Sequence, residues 1–121
     1  MWVAKLVSMA KPRITLPTSA GRSKFQYEGS VRDGTTIYSG RSFQYPIQVT
    51  AAQYARMLDK FTGQEVSKGT SRTDPPNGSL GRWLYEEMGF YGMTSYIVPI
   101  LVAEGFAEPG ATSDRVRFKS K

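Results

Sequence analysis

The residues best suited to chemistry in this chain are cations and hydroxyls. Lys68-Gly69-Thr70-Ser71-Arg72-Thr73 sets Lys68 and Arg72 among hydroxyls and a glycine. That is donor chemistry for an anion or a phosphate. It lacks the G-x-x-x-x-G-K-[ST] spacing of a nucleoside-triphosphate loop, and the same composition also reads as a plain surface connection. Asp74, followed by Pro75 and Pro76, is a rigidly presented carboxylate. It is suited to act as a general base or to hold Arg72, and equally to be a turn residue. Glu86 and Glu87 are adjacent on an expected helix, so they diverge by about 100° and make a poor catalytic pair. In the tail, Arg115, Arg117 and Lys119 alternate with Val116 and Phe118, which gives a strand one basic face. Lys24, Arg41 and Gln44 interleave with Phe25, Tyr27, Tyr38, Phe43 and Tyr45. Such a mixture stacks single-stranded nucleic acid, or it is the core face of a sheet.

Composition removes most other chemistry. The 121 residues include neither His nor Cys. There is no Ser-His or Cys-His nucleophile pair, no thiolate, no disulfide framework and no Cys-ligated zinc. No metal and no cofactor is expected. The length suits a single domain over residues 1–121, and the 40% apolar content argues for one modest core. The net charge of +6 is uneven. Residues 1–32 carry Lys5, Lys11, Arg13, Arg22, Lys24 and Arg32 against Glu28, residues 115–121 carry four cations and no acid, and the middle is net acidic. Basic ends on an acidic middle suit a polyanion, and they also suit a soluble basic protein with no such partner.

These groups need elements to position them. Residues 13–49 read as a small antiparallel sheet: Phe25 and Tyr27 alternate with polar neighbours, Thr36-Ile37-Tyr38 follows a turn at Arg32-Asp33-Gly34-Thr35, and Phe43, Tyr45, Ile47 and Val49 repeat the alternation. Pro46 marks an edge, a bulge or a break. Residues 50–63 read as a helix with Thr50 and Gln53 at capping-box spacing and Gly63 at the C-terminus. Residues 66–78 are loop by composition. Ser79 then caps a second helix carrying Arg82 on one side and Leu80, Trp83, Leu84 and Met88 on the other, with Gly89 as its stop. A third helix is expected from Thr94 or Ser95 to Glu104; Pro99 argues that it begins late or bends. Pro109-Gly110 turns the chain into a C-terminal β-hairpin. The fold class is α+β: short strands, then three helices, then a hairpin.

Helix, helix, helix and hairpin over roughly residues 50–119 resemble a winged-helix domain. The run Thr94-Ser95-Tyr96-Ile97-Val98-Pro99-Ile100-Leu101-Val102-Ala103-Glu104-Gly105-Phe106-Ala107-Glu108 resembles that family's recognition helix and its exit into the wing. The resemblance implies DNA binding. Recognition helices read base edges with Arg, Lys, Asn or Gln, and none stands between Met93 and Glu104. Gly69-Thr70-Ser71-Arg72-Thr73-Asp74-Pro75-Pro76-Asn77-Gly78-Ser79-Leu80-Gly81-Arg82-Trp83-Leu84 is similar to a stretch found in small bacterial proteins of the integron gene-cassette type. That likeness implies a bacterial, cytoplasmic origin and brings no functional residues with it.

The expectation from sequence is a non-catalytic binding protein that meets nucleic acid through phosphate contacts. Arg115, Arg117 and Lys119 rank first, then Lys68, Arg72 and Arg82; phosphate contacts position without reading sequence. The alternatives are a homo-oligomeric adaptor and a small-ligand pocket protein. Residues 1–12 are expected to dock on the core or pair a homodimer. Lys5 splits their apolar run, which is too short for a signal segment, and no stretch approaches the ~20 apolar residues of a membrane span.

Overall fold

The computed structural model describes residues 12–120. The expected docking or pairing segment therefore lies, Pro12 apart, outside the described residues. The expected α+β class is found. Strands β1 (Ile14–Pro17), β2 (Lys24–Ser30), β3 (Gly34–Ser39) and β4 (Tyr45–Thr50) form an antiparallel meander in chain order. Its inner face is built by the period of two: Tyr27 pairs with Ile37, and Phe25, Tyr27, Ile37 and Val49 are all buried. Pro46 sits on β4, at the sheet edge, where a missing N–H costs no ladder bond.

The aromatic residues do not share one face, which corrects the sequence expectation. Phe25 and Tyr27 enter the core. The register sets Tyr38 opposite Gln26, on the other face, with the Arg13 guanidinium 3.6 Å from its ring centre. Phe43 leaves the strand for the β3–β4 turn at φ 54°. Tyr45 begins β4 with 60% of its surface exposed. Alternation read through residues 43–49 counts a turn residue as strand.

Helix α1 (Ala51–Phe61) starts where the capping box predicts: Thr50 Oγ1 accepts from Gln53 N at 3.1 Å, and Gln53 Oε1 accepts from Thr50 N at 2.9 Å. Such a cap contributes about 1 kcal/mol. Tyr54, Met57 and Phe61 turn inward. The Tyr54 hydroxyl meets Thr35 Oγ1 at 2.8 Å, and burial pushes it up to about 12. Strand β5 (Glu65–Ser67) follows, in a stretch whose composition reads as loop; three residues are too few to reveal alternation. Helix α2 (Leu80–Met88) is capped by Ser79 and ends at Gly89 in the left-handed region, φ 70°.

Helix α3 (Thr94–Ala103) neither begins late nor takes its cap from Thr94 or Ser95; Met93 occupies the cap position and Pro99 lies inside. An interior proline costs about 3 kcal/mol, partly by leaving the carbonyl four residues earlier without its donor. Here that carbonyl, Ser95 O, accepts from Ser19 N at 3.0 Å, so the turn after β1 replaces the missing N–H. Strands β6 (Ala107–Pro109) and β7 (Arg115–Phe118) make the expected hairpin, and β5 pairs with β7 on its other side, giving the order β5-β7-β6.

The two sheets share one core. Its buried side chains run from Phe25 and Ile37 through Met57, Leu84 and Leu101 to Val116 and Phe118. A polar tie crosses it: Glu104 accepts from the Tyr27 hydroxyl and from Val31 N, both at 2.9 Å. Burial first, and this carboxylate second, hold the Tyr27 phenol neutral far above its ordinary range. None of the described helices is long and apolar enough to cross a membrane.

Candidate functional site

The cations ranked first by sequence are real neighbours, but they come with acids. β7 alternates as expected, with Val116 and Phe118 buried and Arg117 outward. Its partners bring carboxylates to the same face, because Arg117 lies opposite Glu65 of β5 and opposite Glu108 of β6. Arg115 Nε meets Glu65 Oε2 at 3.0 Å, and a second guanidinium nitrogen donates to the Glu65 carbonyl at 3.1 Å. Arg117 reaches Glu65 at 3.4 Å and Glu108 at 3.5 Å. Hydrogen bonding from Arg115, with help from Ala111 N–H and Arg117, lowers the Glu65 pKa below its ordinary value. Lys119 is exposed, with no ion pair among the described residues. The basic face of the hairpin is thus a mixed one.

The loop at Lys68–Thr73 is not an open anion cradle either. Its backbone is pressed onto the start of α2: Lys68 O accepts from Gly81 N at 2.9 Å, and a Cβ on Gly81 would lie 1.9 Å from Gly69 O. Only glycine allows that approach. Ser79 Oγ takes Arg82 N and Ser71 Oγ takes Asp74 N, both at 3.0 Å, and Lys68 N donates to Asp114 O at 2.8 Å, so part of the loop's polar chemistry is already engaged within the fold. Asp74 holds Arg82 at 3.1 Å rather than Arg72. The Arg82 Nε is buried without a hydrogen-bond partner among the described residues. The stem of Arg72 lies over Gly92. Lys68 turns away from Arg72 and donates to Ser19 Oγ at 2.8 Å. Glu87 pairs with Arg56 at 2.7 Å, which leaves Glu86 and Glu87 in separate roles.

A different group of cations stands clear of acids. At the β3–β4 turn, Lys24, Arg41, Phe43 and Tyr96 line one open cavity of about 430 Å³ together with Ser23 and Gly40. Neither Lys24 nor Arg41 has an ion pair among the described residues, and no carboxylate lines the cavity. The nearest acid on the same strand, Glu28, is about 13 Å away along β2; it accepts from the Tyr38 hydroxyl at 2.6 Å. The turn is built to present rings. Phe43 N donates to Gly40 O at 3.1 Å with Phe43 in the left-handed region. A bulky residue held there costs about 1–3 kcal/mol, and such strain clusters at functional surfaces. Gly40, at φ 89°, lets the Tyr45 ring lie across it: a Cβ there would come within 2.6 Å of that ring.

The sequence sets Lys24 and Arg41 beside the aromatics, but its contiguous cations lie in the tail. Lys24 and Arg41 are far apart in the chain and meet only when β2 and β3 pair. A usable signal was present: residues 1–27 and 34–58 contain no Asp or Glu. Among the described residues no cluster of acidic side chains is arranged to hold a metal ion. Comparison with family models, with curated proteins and with solved structures finds no match.

Proposed function

We propose that this protein is a non-catalytic binder of single-stranded nucleic acid that grips phosphates with Lys24 and Arg41 and stacks bases on Phe43 and Tyr45. The observation that carries the reading is the acid-free, ring-bearing end of the first sheet. Phosphate contacts supply affinity and salt dependence, and every base has a face on which an aromatic side chain can stack. Arg22, in the β1–β2 turn, and Arg13, over Tyr38, extend the positive charge along the same sheet.

Residues 50–120 fit a winged-helix-like half, and two features support that: the order helix, strand, helix, helix, strand, strand, and the pairing of the first of these strands with the last. On this reading α3 takes the recognition position, yet it is not free to enter a groove. Tyr96 packs edge-on to Phe25 at 5.2 Å, Ser95 O is bonded to the turn after β1, and Glu104 is bonded to Tyr27. A helix tied to the first sheet at Ser95 and Tyr96, and without Arg, Lys, Asn or Gln, leaves backbone contact and stacking as the available modes. A cytoplasmic location accords with this role.

The test is fluorescence anisotropy of labelled oligo-dT and of a duplex of equal length, at low and near-physiological salt. Micromolar binding that favours the single strand and weakens steeply with salt is expected. Lys24→Ala with Arg41→Ala should weaken it at least tenfold, about 1.4 kcal/mol, and should lower the salt slope by about 1.4 for two lost phosphate contacts. Phe43→Asn keeps a residue tolerant of positive φ and should cut single-strand affinity several-fold while leaving the slope unchanged. No binding by the unaltered protein at low salt would overturn the reading.

A further inference from the structure

Lys68 is singled out by sequence, and its ammonium is left unused by the nucleic-acid surface. It stands at the rim of a second cavity, a groove of about 340 Å³ where β1, α3 and the second sheet meet. The groove is apolar along its length: Leu16 comes from β1, Pro99 and Val102 from α3, and Val116 from β7. Val102 is 37% exposed, one of the few large apolar side chains of the described chain left in contact with water. Ligand pockets of about this size pair an apolar lining with a few fixed polar groups.

The polar end is fixed in place. Ser19 is held by its N–H to Ser95 O at 3.0 Å, and its hydroxyl in turn accepts from Lys68 Nζ at 2.8 Å. Lys68 has no ion pair among the described residues. Two of the three ammonium donors remain for a ligand. Arg115 also lines the groove, but Glu65 engages its guanidinium through both carboxylate and carbonyl. Neither Glu65 nor Asp114 lines the groove; the Asp114 carboxylate bonds the Thr112 hydroxyl and feels the Lys68 charge, but makes no ion pair with it. The rim therefore offers a positioned cation above an apolar floor.

We infer that this groove binds a small amphiphilic monoanion, an aliphatic carboxylate whose head meets Lys68 and Ser19 and whose chain lies along Pro99 and Val102. Charge complementarity selects the head, and the apolar walls select the tail. The inference does not depend on the nucleic-acid reading, since the two surfaces share no residue.

The experiment titrates octanoate, 1-octanol and octylamine into the isotopically labelled full chain, followed by amide chemical shifts and calorimetry. Octanoate should bind with a Kd on the order of 0.1–1 mM, a plausible range for so small a ligand, and should shift Ser19, Lys68, Val98 and Val102. Lys68→Met should weaken octanoate about tenfold and leave octanol unchanged. Lys68→Arg should retain most of the affinity. Val102→Asp should weaken both octanoate and octanol. Equal affinities for octanoate, octanol and octylamine would overturn the inference, as would shifts confined to the Lys24–Phe43 surface or no change with Lys68→Met.

Discussion

Both sheets present cations, and they differ in what surrounds them. In the second sheet, β7 lies between two strands that each bring a glutamate, and register sets those carboxylates beside Arg115 and Arg117. In the first sheet, Lys24 and Arg41 come together at a turn whose flanking chain contains no acid. Exposed ion pairs contribute little to stability, about 0–1 kcal/mol, but they commit a guanidinium that a phosphate would otherwise take. The number of Lys and Arg in a segment is therefore a poor measure of its availability to a polyanion. Cross-strand pairing decides that availability, and pairing is not written in any local stretch of sequence.

The contrast depends on both sheets sharing one frame, so the largest effect should come from breaking the frame. Glu104→Ala leaves the Tyr27 hydroxyl and Val31 N–H without their acceptor in places where both residues are almost wholly buried. A loss of about 2–4 kcal/mol is expected, read by urea or thermal unfolding. The next effect tests the contrast itself. Glu65→Gln frees Arg115 and Arg117 from their shared carboxylate and should raise oligo-dT affinity about two- to fivefold at low salt, with little change in stability at neutral pH. Unchanged affinity would show that pairing is not what silences the second sheet.

The smallest effect is on acid stability. The folded Glu65 pKa lies below its ordinary value of 4.5. A depressed carboxylate contributes stability that is present above the unfolded pKa and disappears as pH falls through the folded one. Unfolding curves taken from pH 6 downward should show this contribution eroding below about pH 4.5, and Glu65→Gln should remove that part of the slope. An unaltered slope in the variant would show that the pairs at β7 are not felt by the fold.

Much of this molecule could be read from local chemistry. Thr50 with Gln53, Ser79, Gly89 and the alternation of Val116 with Phe118 each act within a few residues, and each sits where its spacing says. What escaped was nonlocal. Strand β5 exists because β7 offers an edge to Glu65-Val66-Ser67, and Asp74 meets Arg82 because the loop folds back on α2. Pro99 reads locally as a late start or a bend, since its remedy, Ser19 N–H, lies in another element. The candidate site followed the same division. Cations suited to phosphate are legible from charge, whereas the place where Lys24 and Arg41 gather depends on which strands become neighbours.

The carbonyl of Ser95 has a further consequence, for the order in which the chain can become structured. During synthesis the β1–β2 turn leaves the ribosome long before α3 does, so the donor waits for its acceptor. The same holds for Tyr27 and Glu104, separated by 77 positions. Contacts of such long sequence separation are slow to form and mature together. The helical half is therefore not a module that could be cut from this protein and transplanted intact: its last helix is completed by the chain that emerged first.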